Sequence, residues 1–65
     1  MKVTYNTEVD VLRIVFNTEP IEESDSIKPG VILDYDKEGN LVGMEILCAS
    51  KQIEDPRSVE FTIAS

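Results

Sequence analysis

Four carboxylates in one stretch of this chain have the spacing of a cation loop. Residues 29–47 read PGVILDYDKEGNLVGMEIL. Counting Asp34 as the first position, Asp36 falls third, Glu38 fifth, Gly39 sixth, Leu41 eighth and Glu45 twelfth. In a calcium loop, carboxylates at alternate positions surround the ion and a glycine makes the sharp turn. Two features weaken the match. Glu38 puts a long side chain where a compact Asp or Asn is needed, and both flanks read as strands where such a loop needs helices. The same letters spell a β-hairpin: an Asp-x-x-Gly turn between two apolar strands, with Asp34 and Glu45 as surface carboxylates on a ladder. The hairpin is the preferred reading. Asp34, Asp36 and Glu38 are kept as candidates for weak divalent-cation binding or a metal-responsive turn.

Other reactive residues are few. The chain has no histidine and a single cysteine, Cys48, so the usual zinc and copper sites lack ligands and no intramolecular disulfide can form. Lys51 lies one turn from Cys48 on any helix there, but a lone cysteine is more often a small buried hydrophobe than a nucleophile. Glu19, Glu22, Glu23 and Asp25 form an acidic cluster that reads first as a solvated strand edge and second as a site for a basic partner. No nucleophile–base pair can be drawn from these residues, and 65 residues leave little room for a cleft of several hundred Å³. The expectation is a protein that is not an enzyme and has no cofactor.

Thirteen acids against six bases give a net charge of −7, which a phosphate backbone repels, so nucleic-acid binding is not expected. No apolar run approaches the eighteen or so residues of a membrane span, and residues 1–12 do not form a signal peptide. One unpaired cysteine suits a reducing compartment, and the cytoplasm is the expected location.

The elements that must position these side chains are short. Residues 2–6 alternate as a first strand, and the polar residues 6–10 form a turn in which Asn and Asp bond their own backbone. Residues 11–16 are a β-branched and aromatic strand, with Leu12, Ile14 and Phe16 on one face and Val11, Arg13 and Val15 on the other. Arg13 is expected to pair across strands with an acid such as Glu45, or to cap an interface. Residues 21–27 suit only a charged edge strand. Lys28-Pro29-Gly30 marks a bend or bulge, residues 31–36 and 41–47 are strands, and Gly43 signals a bulge or a close backbone approach. A short helix fits near residues 49–55, capped by Ser50, anchored by Ile53 and stopped by Pro56. Residues 58–63 alternate as a closing strand. The fold expected is a single α+β domain spanning residues 1–65, dominated by an antiparallel meander of about five strands.

Such a chain is hard to stabilise alone, because near this length only about 60% of the unfolded surface is buried on folding. One short helix cannot cover strands that are apolar on both faces. Val11, Arg13, Val15 and Ile32 are therefore the expected interface residues of a homodimer or of a complex with another protein.

The order of these features resembles a known family. DVLRIVF at residues 10–16, Glu23-Ser24, PGVILDYD at 29–36, GNLVGMEIL at 39–47 and Ala49-Ser50-Lys51 look like the small prokaryotic domain of unknown function 2283. That resemblance implies a small β-rich domain with no established activity, so no functional residues carry over. Some members have been suggested as the antitoxin-like half of a toxin pair. Cys48 and Arg13 depart from the residue types common in the family at those positions.

Overall fold

The structure, a computed structural model, describes residues 1–64. Five strands form from the alternating segments: β1 (Lys2–Asn6), β2 (Val11–Val15), β3 (Glu23–Lys28), β4 (Val31–Tyr35) and β5 (Leu41–Leu47). A single helical turn, α1 (Ala49–Gln52), follows. All neighbouring strands are antiparallel, in the order β1-β2-β5-β4-β3. The fold class is as the sequence implies, but the strands are not laid down in chain order. β1–β2 is one hairpin and β3–β4–β5 is a meander. β5, the longest strand, sits between β2 and β4, where both of its edges are paired.

The turns follow their side chains. Asn6 Oδ1 accepts the Glu8 and Val9 amides, 3.0 and 3.4 Å away, closing the first turn. Gly30 and Gly39 both adopt positive φ, +80° and +83°, where a side chain would be strained. Two bulges fall where the glycines and proline suggest. Pairing of β3 with β4 shifts between Ser26 and Lys28, and pairing of β4 with β5 shifts so that Val42 is the extra residue beside Gly43.

Two expected elements differ. Residues 58–63 form no strand, and Val59, Phe61 and Ile63 are 63%, 71% and 83% exposed. Ser50 is not the helix cap. Residue 48 occupies that position with φ 51° and makes no side-chain cap bond, and Cys48 is exposed where a buried thiol was expected.

The molecule measures 34 × 32 × 19 Å, and among the described residues one sheet and one helical turn make up its regular structure. Among the described residues, only Leu12, Val42 and Ala49 are buried apolar side chains. Register puts Val3, Tyr5, Leu12, Ile14, Val31, Leu33, Met44 and Ile46 on one face. Thr4, Val11, Arg13, Val15, Ile32, Asp34, Glu45 and Leu47 lie on the other.

Candidate interaction surface

The four interface candidates fall together on that second face. Arg13 stands opposite Glu45, which in turn stands opposite Ile32, making one row across three strands. Val15 opposite Gly43 and Val11 opposite Leu47 form the rows on either side. The sequence expectation that Arg13 and Glu45 are cross-strand neighbours holds. Val11, Val15 and Ile32 are half-buried, Arg13 is exposed and Leu47 is 37% exposed. Aliphatic side chains thus surround one cation and one anion on this face.

Next to this row lies a residue whose environment the sequence reading misjudged. Asp34 was expected to be a surface carboxylate, yet it is only 2% exposed. It faces Gly43, whose missing side chain leaves room above the sheet, and the Ser24 hydroxyl donates to its Oδ1 at 2.6 Å. Its Oδ2 is buried with no hydrogen-bond partner. Ser24 and Asp34 are cross-strand partners in the β3–β4 ladder. The signal for this pair was the shared register of Glu23-Ser24 with Asp34, which short-range motif reading does not test.

Asp36 is equally committed, to its own turn. Its Oδ1 accepts the Glu38 and Asn40 amides, both at 2.9 Å, and the Gly39 amide donates to its carbonyl at 3.1 Å. The Asn40 amide, first among these donors, holds the Asp36 carboxyl below the usual carboxylate range. Asp34 is therefore buried against Ser24, Asp36 is spent on backbone amides, and Glu38 is exposed. The cation-loop spacing does not bring the three together. No group of three or more Asp, Glu or Cys among the described residues could hold a metal ion.

At the sheet end away from the helix, residues 17–22 cross from β2 to β3 and border an open depression of about 500 Å³. Glu19, Glu22, Asp36 and Glu38 line it together with Lys37. A hollow of that size was not expected from so short a chain. It is open and acidic, with four carboxylates and one amine on its lining.

At the opposite end, Asp10 links the two halves of the fold. The Tyr5 hydroxyl and the Ser50 amide donate to its Oδ1 at 2.6 and 3.0 Å, and the Ser50 hydroxyl donates to its Oδ2 at 2.6 Å. The Ala49 amide also donates to the Asp10 carbonyl at 2.9 Å. A residue forty positions upstream thus caps α1 in place of a local cap. Asp10 holds φ 57° to do so, a conformation that Asp tolerates better than most residues. Gln52 completes the clasp by donating from Nε2 to Leu47 O at 2.6 Å and to Gly30 O at 3.3 Å.

The clasp makes stability depend on pH at both extremes. The Ser50 hydroxyl, then the Tyr5 hydroxyl, lower the Asp10 carboxyl below its usual range, while the same bond to Asp10 raises the Tyr5 phenol. A depressed acid contributes stability that is present above the unfolded carboxylate range and lost as pH falls through the folded value. A raised phenol contributes stability that is full below about pH 10 and lost as pH climbs through the folded value. Melting temperature measured against pH should show both limbs. Tyr5→Phe should abolish the alkaline one, and Asp10→Asn should flatten the acid one and lower the neutral-pH melting temperature by roughly 4–8 °C. Unchanged limbs in both variants would show that the clasp does not contribute.

The geometry defines a class: a small antiparallel β-sheet domain, one layer thick, whose two hairpins are clasped by a helical turn. Its motif residues go mainly to turns and to the clasp. The chain belongs to the family described as "Protein of unknown function (DUF2283)", whose model matches residues 2–50. That match covers both hairpins, the Ser24–Asp34 pair and the clasp residues Tyr5, Asp10 and Ser50, and it ends before the C-terminal tail. Comparison with curated proteins and with solved structures gives no match. No helix among the described residues is long and apolar enough to cross a membrane.

Proposed function

We propose that this protein is a non-enzymatic interaction module that self-associates through the second face of its sheet. One observation carries the reading. The chain exposes 5115 Å², whereas a compact monomer of 7.3 kDa is expected to expose about 4,200 Å². The excess comes from the exposed residues of the tail as well as from sheet faces on which Val11, Val15 and Ile32 stay half-buried. A second copy suits the face because a two-fold interface must be self-complementary. Arg13 beside Glu45 allows the cation of one copy to meet the anion of the other, with Val11, Val15 and Ile32 around them. An antitoxin-like role, in which the acidic edge at Glu23 and Asp25 receives a basic protein, is one specific form of the same reading. The exposed, unpaired Cys48 accords with a cytoplasmic setting.

Sedimentation equilibrium at micromolar concentration tests the reading. The wild-type chain should show twice its 7.3 kDa mass. Ile32→Lys, which places a second cation in the centre of the face, should return it to a single-copy mass with its β-sheet circular dichroism intact. A wild-type protein that stays monomeric and fully stable would refute self-association.

A further inference from the structure

We propose that residues 58–63 are a sixth strand supplied in trans, adding to the outer edge of β1 in a second copy of the chain. This rests on the self-association reading and assigns the segment that latches the pair. The tail has the pattern of a strand without the position of one. Val59, Phe61 and Ile63 alternate with Glu60 and Thr62, and their exposure climbs from 63% to 71% to 83% as the tail leaves the body. Three consecutive alternating apolar residues left in water are a cost that strand pairing removes.

The tail opens on a tight turn. Asp55 Oδ1 accepts the Arg57 amide at 3.1 Å, and Asp55 O accepts the Ser58 amide at 3.2 Å. Pro56 stiffens the same bend. In the single chain residues 58–63 pair with no strand among the described residues, and a second copy is the acceptor assigned to them.

Of the two outer strands, only β1 suits the tail. β3 presents Glu23 and Asp25 and is interrupted by a bulge, features that discourage edge pairing. β1 has five uninterrupted pairs with β2, no proline and no bulge. Its Val3 and Tyr5 would continue the apolar row of Val59, Phe61 and Ile63. Lys2 and Thr4, on the other face, would lie beside Glu60 and Thr62. Main-chain bonds along an exposed edge, with alternate side chains setting register, are the usual physics of strand addition. Reciprocal exchange between two copies closes the assembly.

Amide exchange of β1, measured with the mass of the particle in solution, tests the proposal on the full chain. Two variants are compared with wild type: Phe61→Asp, which removes the central apolar contact, and Thr62→Pro, which keeps the apolar residues but removes a ladder donor. In the associated wild-type protein the outward β1 amides should exchange at least about tenfold more slowly than in either variant, and both variants should dissociate at least about tenfold more readily. An associated protein whose β1 amides exchange equally fast in all three would overturn the latch and leave the sheet-face reading standing. Protection of β1 in a particle of single-copy mass would place the strand in cis and overturn the exchange. A wild-type chain of single-copy mass with unprotected β1 would overturn both proposals.

Discussion

Gly43→Ala should destabilise the protein by about 1–3 kcal/mol, a large share of the roughly 3–10 kcal/mol expected for a chain of this length. The direction is opposite to the ordinary one, because alanine in place of glycine usually stabilises by about 0.4–1 kcal/mol through the unfolded state. Here an added Cβ would lie 2.9 Å from the carbonyl oxygen of Ile14, a backbone atom of the neighbouring central strand. It would also reach within 3.6 Å of the unpaired Asp34 Oδ2. Neither neighbour is the free end of a flexible side chain, so relief requires moving β2 away from β5. Valine at the same position would add two more carbons to that gap and should leave the chain unfolded at room temperature. Urea denaturation provides the check: a Gly43→Ala midpoint equal to or above wild type would mean that β2 and β5 are not packed as described.

The second large effect concerns the buried carboxylate. Ser24→Ala removes the only hydrogen bond made to the Asp34 side chain among the described residues and leaves it buried beside Gly43. Stranding a buried polar group in this way costs about 1–3 kcal/mol. Removing the acid as well should reverse the loss. Ser24→Ala combined with Asp34→Val replaces both partners by apolar groups, with a β-branched residue suited to a strand, and should be at least as stable as wild type. The two single variants and the double variant form a thermodynamic cycle, read by chemical denaturation. A double variant less stable than Ser24→Ala alone would show that Asp34 holds the sheet together by some other contact.

These two sites show where sequence reading stops. β1, β2, β4 and β5 were legible because each alternates over a strand's length, and the Val42–Gly43 bulge was legible because glycine has little other reason to sit in a strand. That Val11, Arg13, Val15 and Ile32 share a face was legible for the same reason: alternation assigns a face before any neighbour is known. The position of β5 between β2 and β4 was not, since pairing between distant strands depends on which edges remain open. Asp34 was read as a surface acid because acids usually are, and only the register with Ser24 and Gly43 reveals its burial. Ser50 was read as a local cap, yet the acceptor came from Asp10 across the fold. Residues 58–63 carry a strand's pattern, but a pattern states only that a segment can be buried on one side. Whether a sheet edge lies within its reach is a property of the Asp55–Ser58 turn.

The placement of β5 also bears on how the protein is made. Both strands of the β1–β2 pair and of the β3–β4 pair precede β5 in synthesis, and each pair has an inner edge that β5 closes. Nothing in the first forty residues can close those edges, so the nascent chain passes through an interval with four open strand edges in place of two. The charged β3 and the polar turn at residues 36–40 also precede β5, and such residues discourage pairing with neighbouring chains until it is in place. A surface this acidic, with a net charge of −7, protects the molecule during its synthesis as well as after it.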